Sequence, residues 1–233
     1  MLHFDLQFDD SVGSIRTIIE QAVRSSCERD FNTIEGVFPP FVANQARKIT
    51  LHVSLDCPMR AGPETVGVAT YQDCSETIFQ CVAPRNDSDL PLSLQTFCAS
   101  VAALAVQLFG SSLLSWTNKS CLGQSLCLSI ARDFYPAAID LFEPLEQAWY
   151  YASPLYDYIN EVPPDAQNLA ANGCVMLFFS FLRQMGFGWH QIILAGLPFD
   201  SNPRDIYRGL TGNVVDPFPL FQRQILGEIS MSK

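Results

Sequence analysis

Apolar positions recur along this chain with two periods, first two residues and then between three and four. Residues 3–8 alternate apolar and polar and predict a short strand. Val12, Ile15, Ile18, Ile19, Ala22 and Val23 then mark one face of a helix reaching about Cys27, with Asp9, Asp10 or Ser11 as its capping group. Gly36-Val-Phe-Pro-Pro reads as a loop. Residues 49–55 predict the clearest strand, with Ile49, Leu51, Val53 and Leu55 on one face and Thr50, His52 and Ser54 on the other. Residues 66–72 and 77–82 predict two more strands, close enough to pair as a hairpin.

After residue 86 the period becomes helical. Leu92–Phe109 is nearly all apolar and is stopped by Gly110; Gly123–Phe134 is a second helix, broken before Pro136. Ala137–Phe142 and Leu145–Ile159 read as shorter helical pieces, and Asp165 or Asn168 opens the helix containing Cys174–Leu182. That last run is apolar all round except for Ser180, the mark of a buried helix. Gly186-Phe-Gly links it tightly to a short helix bearing Trp189, Ile192, Ile193 and Leu194, and helices at 203–210 and 217–229 complete the chain. The pattern predicts an α+β fold: a small N-terminal sheet with one helix, followed by a mostly helical C-terminal half. We read residues 1–233 as a single domain, strand-rich over 1–86 and helical over 87–233.

Composition sharpens this picture. The chain is 48% hydrophobic and 16% charged, with seventeen Phe, so a large core is available. Its formal net charge is −10 and its basic residues are scattered, which argues against nucleic acid as a partner. No apolar run approaches the ~20 residues of a membrane helix, the longest being Phe97–Val106 and Cys174–Leu182, so no membrane span is expected. The N-terminus lacks the order of a signal peptide. A cytoplasmic location follows if Met1 is the native start, and a secreted one if a leader is missing. Of the eight cysteines, Cys98, Cys127 and Cys174 fall in apolar helical patterns, where Cys behaves as a small hydrophobe. Free thiols are the favoured reading, and Cys57, Cys74 and Cys81 are where a disulfide would form otherwise. Asn86 and Asn118 begin glycosylation sequons.

Signatures of chemistry are sparse. Only His3, His52 and His190 exist, with no His-Glu-x-x-His and no Cys-x-x-Cys to hold a metal. There is no Gly-x-Ser-x-Gly turn for a nucleophilic serine. A Cys174–His190 pair is conceivable, against the competing reading of an inert buried thiol and a surface histidine. Glu143, Glu146 and Asp157 read as a solvated face, and Asp9 and Asp10 as charges at a helix start.

Several segments resemble a poorly characterised family of metallopeptidase-like proteins, distantly similar to plant basic secretory proteins. The likeness lies in Asn172-Gly-Cys-Val-Met-Leu-Phe-Phe-Ser-Phe-Leu, in Gly186-Phe-Gly-Trp-His-Gln-Ile-Ile-Leu-Ala-Gly and in Ile206-Tyr-Arg-Gly-Leu-Thr-Gly. Phe8-Asp-Asp-Ser-Val-Gly and Gly67-Val-Ala-Thr-Tyr look similar too. The resemblance implies a zincin-like architecture. Where the family has polar metal-site positions, this chain has Ala103, Val106 and Gln124, and apolar groups cannot ligate zinc.

A cleft of that kind without its metal is apolar, and the resemblance therefore implies a pseudo-peptidase scaffold that binds a hydrophobic small molecule. The expected function is a metal-independent, cofactor-free enzyme, a cyclase or pericyclase of Diels–Alder type in natural-product biosynthesis. Gln124, Gln107 and Tyr150 are the candidate catalytic donors. Tyr71, Phe97, Val101, Trp116 and Trp149 are the candidate substrate-binding walls, with ordinary core packing as the competing reading for each aromatic. A zinc-dependent hydrolase and a non-catalytic binding protein on the same scaffold stay open as alternatives.

Overall fold

A computed structural model describes residues 3–43, 48–55, 68–72, 76–84, 88–113, 116, 120–152, 154–161, 168–198 and 202–231. Cys57, Cys74, Asn86, Asn118 and Asp165 lie outside the described residues. The fold is mixed α and β, with a small sheet in the N-terminal part and a mostly helical C-terminal half. Contacts gather the chain into two compact units, Met1–Phe109 with Ile130–Leu141 and Gly110–Ser129 with Phe142–Lys233.

The first unit holds the sheet, of order β1-β2-β4-β3. Strands β1 (Phe4–Phe8), β2 (Lys48–Ser54) and β4 (Glu76–Val82) run parallel, while β3 (Val68–Gln72) pairs antiparallel with β4 as the expected hairpin. Ile49, Leu51 and Val53 are fully buried and align with Phe4, Leu6 and Phe8 on one side and Thr77, Phe79 and Cys81 on the other. One expectation for this strand is corrected. Leu55 lies past the strand end and is 48% exposed, while Thr50 and Ser54 alternate with the apolar set as expected and are themselves buried. A central strand of parallel pairs is covered on both faces, so its second face is not a solvent face.

The helix after β1 also departs from expectation. It begins with a 3₁₀ stretch, Asp10–Ile15, continues as α1 (Arg16–Ala22), widens to a π turn at Val23–Cys27, and runs on as α2 to Val37. The buried residues Ile15, Ile19, Val23, Cys27 and Phe31 step by four throughout. Each such step overshoots a regular α-helical turn by about 40°, and the wider π turn takes up the accumulated excess. The polar run after Cys27 thus continues the helix, with Glu28, Asp30, Phe31 and Ile34 buried. Glu28 holds the edge of the sheet, its carboxylate accepting from the backbone N–H of His3 and Phe4 at 2.9 and 3.0 Å. Asp9 makes no side-chain cap; it pairs with Nε2 of His52 at 3.2 Å. The Gly36–Pro40 loop is shorter than expected, and α3 (Pro40–Ala43) is a single turn.

Helix α4 (Leu90–Gly110) continues this unit, with Phe109 ringed by Phe31 and Phe38 at 5.2 and 5.4 Å. It has 21 residues, no charged side chain and a most apolar 18-residue window of mean hydropathy 1.6, so by length and composition it could cross a membrane. The expected run Phe97–Val106 is shorter because Ser93, Gln95 and Thr96 precede it; they are polar but uncharged and lie in the same helix. Of its most apolar window, 61% is buried inside the protein.

In the second unit, α7 (Leu169–Gln184) is the centre. Asn168 caps it, accepting from the Ala171 N–H at 2.9 Å. Cys174, Val175, Met176, Phe178 and Phe179 are fully buried. Gly186, at φ 97°, turns the chain into α8 (Trp189–Ala195). Trp116 and Trp189 pack on Phe179, and Phe178, Phe181 and Trp149 surround Phe221 of α10 (Phe218–Met231). Helix α9 (Pro203–Thr211) is closed by an Asn202/Asp205 capping box.

Helices α5 (Cys121–Phe134) and α6 (Ile139–Tyr150) each contribute residues to both units. The two helical pieces expected around Pro144 are one helix, and it stops at Tyr150 instead of continuing to residue 159. Asp157 organises the following loop, accepting from the N–H groups of Ile159 and Asn160 at 3.1 and 3.0 Å. That is an Asx turn, not part of a solvated helical face.

Candidate functional site

The eight residues proposed from sequence divide four and four between the units. Gln107, Phe97, Val101 and Tyr71 fall in the first; Gln124, Tyr150, Trp116 and Trp149 fall in the second. Phe97 and Val101 are buried on α4, and Tyr71 is in β3, in register with Thr77. Gln107 is the one residue between Val101 and Gly110 that is not buried. Trp116 and Trp149 are fully buried, with indole N–H groups donating to the carbonyls of Ile193 at 3.2 Å and Tyr156 at 2.9 Å. Their polar ends are thus satisfied inside the protein. Gln124 and Tyr150 are half-buried, and the Tyr150 ring meets the edge of Tyr151.

Cys174 and His190 do not make a nucleophile and base. Cys174 is fully buried, burial pushes its thiol well above the usual range, and His190 is exposed. Ala103 and Val106 are buried in α4. Among the described residues, no three His, Cys, Asp or Glu side chains converge as ligands of a metal ion would.

The most polar buried assembly lies elsewhere in the first unit, and the sequence reading missed it. Asp30 of α2 is 1% exposed. Its Oδ1 accepts from Arg29, with the guanidinium Nε and NH2 both at 2.8 Å. Its Oδ2 accepts a short hydrogen bond from the Tyr135 hydroxyl. Cys98 of α4 neighbours both Tyr135 and Cys27. The result is a hydrogen-bonded string from exposed Arg29 through Asp30 to Tyr135, with two thiols beside it.

The Tyr135 hydroxyl and the two thiols depart from their ordinary titration. Burial, then the neighbouring Cys98, pushes the Tyr135 hydroxyl up, so it stays protonated as a donor. Each thiol acts on the other: Cys27 is held above its ordinary range and Cys98 below it. By contrast, burial pushes Cys121 and Cys127 up to about 12. Cys98, read from sequence as a small hydrophobe, is thus shifted in the opposite direction to Cys27, Cys121, Cys127 and Cys174. The available signal was Cys27 and Asp30 three apart on the inward face of a helix, followed by a Tyr just before a Pro.

Cys27, Cys98, Cys121, Cys127 and Cys174 are free thiols. Comparison with family models, with curated proteins and with solved structures found no match to the chain.

Proposed function

We propose that this chain is a metal-independent protein that takes up a hydrophobic small molecule and acts on it as a cyclase of Diels–Alder type. One observation carries the reading. Along α4, the positions that the resemblance would give to metal-site residues are the buried apolar Ala103 and Val106, and the adjacent Gln107 alone in that stretch reaches solvent. An amide donor at the margin of an apolar helix suits a ligand that is mostly hydrocarbon with one acceptor. Cyclisation of such a molecule asks little of side chains: holding it in a reactive fold supplies most of the rate, and one hydrogen bond polarises the acceptor.

The test is a thermal-shift series with polyene and terpenoid ligands, followed by product analysis. Ligands that raise Tm are expected, with Gln107→Leu keeping uptake and losing the cyclised product. No rise in Tm with any of them would overturn the reading. Stoichiometric zinc in protein purified without chelator would replace it with the zinc-hydrolase alternative. A second reading, a non-catalytic binding protein on the same scaffold, draws on the same apolar stretch of α4 with Gln107 at its margin. Ligand uptake without turnover would select it.

A further inference from the structure

We propose that the tyrosines at and just after the end of α6 are a docking surface for an arginine-rich segment of a partner protein. Tyr151 is 74% exposed and Tyr156 58%. Each ring is held by a second one: Tyr150 meets Tyr151 edge to face at 5.2 Å, and Tyr158 lies against Tyr156 at 5.9 Å. Fully buried Trp149 anchors the two pairs together, since it precedes Tyr150 in the chain and its indole N–H donates to the Tyr156 carbonyl at 2.9 Å. The Asp157 carboxylate then fixes the following turn through the N–H groups of Ile159 and Asn160. Exposed rings on a backbone tied in this way lose little conformational freedom when a partner settles on them, and tyrosine is a frequent anchor of interfaces.

Charge decides the kind of partner. From residue 133 to residue 182 the chain carries seven Asp and Glu and no Lys, Arg or His. Asp157 stands between Tyr156 and Tyr158, and exposed Glu161 follows. The Asn160 amide donates to both Asp157 and Asp216, which brings exposed Asp216 beside them. Arg204, whose backbone N–H donates to the Ile159 carbonyl at 3.3 Å, is a nearby basic residue, and Asp205 adjoins it. Tyrosine faces flanked by carboxylates attract cations, and a guanidinium suits both groups at once: it stacks flat on a ring and donates in a fork to a carboxylate. A second copy of this chain, itself at −10, would meet repulsion at this surface.

The test follows the fluorescence anisotropy of a labelled peptide of alternating arginine and glycine as the full chain is added at physiological salt. Saturable binding is expected, weakened about tenfold in Tyr151→Ala/Tyr156→Ala and kept in Tyr151→Phe/Tyr156→Phe, which preserves the ring faces. These variants leave every charge in place. Equal binding by the wild type and the alanine variant would therefore mean attraction to net charge alone, and would sink the proposal. A benzophenone carried by the same peptide is expected to cross-link the wild-type chain within residues 143–161 or 213–216, read by peptide mapping, which decides the question even if a variant fails to fold. Cross-links confined to other segments overturn it. So does a chain that ignores the arginine peptide but binds chitohexaose, because the same rings would then be a saccharide platform.

Discussion

Tyr135 shows how much one hydroxyl can matter in this protein. It donates to a carboxylate that is 1% exposed, and among the described residues the other partner of that carboxylate is a guanidinium reaching in from solvent. Tyr135→Phe keeps the ring and removes the donor, leaving Asp30 short of a hydrogen bond in a dry place. The expected loss is about 1–3 kcal/mol of stability, read from urea unfolding. A change within the roughly 0.5 kcal/mol of an ordinary surface substitution would mean that Arg29 alone suffices. Gly173 poses a different constraint, of space. A Cβ there would collide with the backbone carbonyl of Leu145, which has no freedom to move aside. Gly173→Ala is therefore expected to cost about 3 kcal/mol, and a variant of wild-type stability would show that α6 can shift away from α7.

Caps and periods govern the elements. Asn168 and Asn202 each accept from a backbone N–H at a helix start, at 2.9 Å in both cases. Replacing either with Ala should lower stability by about 1 kcal/mol, measured by the same unfolding curves; an unchanged midpoint would show that solvent satisfies the N–H equally well. Asn168 was legible in sequence because a short polar residue stands just before a continuous apolar run. Asp9 looked equally suited to capping, but His52 comes from a distant strand, and no local pattern announces that pairing. The same limit hid α2 and the buried string. A strict spacing of four, from Ile15 to Phe31, does not close on an α-helical face, so the helix seemed to end at Cys27. The π turn that rescues the pattern also brings Asp30 inward, where Tyr135, distant in sequence, completes the string. The strands and α7 were readable because their periods are local; the polar cluster is a tertiary product.

At the scale of the whole molecule, the change from strand to helix near residue 86 does not coincide with the division into compact units, because α4 belongs with the sheet. Both units bury thiols, and this gives the protein a shared alkaline weakness. Cys121 and Cys127 are raised from an ordinary value of 9 to about 12, and burial raises Cys174 as well. The folded chain therefore keeps protons that the unfolded chain gives up first. The sign follows: this contribution to stability is fully present below about pH 9 and falls as pH rises toward the folded values. Each raised thiol adds a slope of about 1.4 kcal/mol per pH unit within that window, while Cys98, shifted downward, works in the opposite direction. Urea midpoints should hold steady near neutrality and then decline steeply in alkali. Other groups also titrate there, so the discriminating comparison is with Cys127→Ala, whose thiol in the wild type lies in the second unit with 4% exposure. That variant should be less stable near neutrality yet lose stability more slowly above about pH 9, so that the two curves converge. Parallel curves would show that Cys127 surrenders its proton as readily in the folded chain as in the unfolded one.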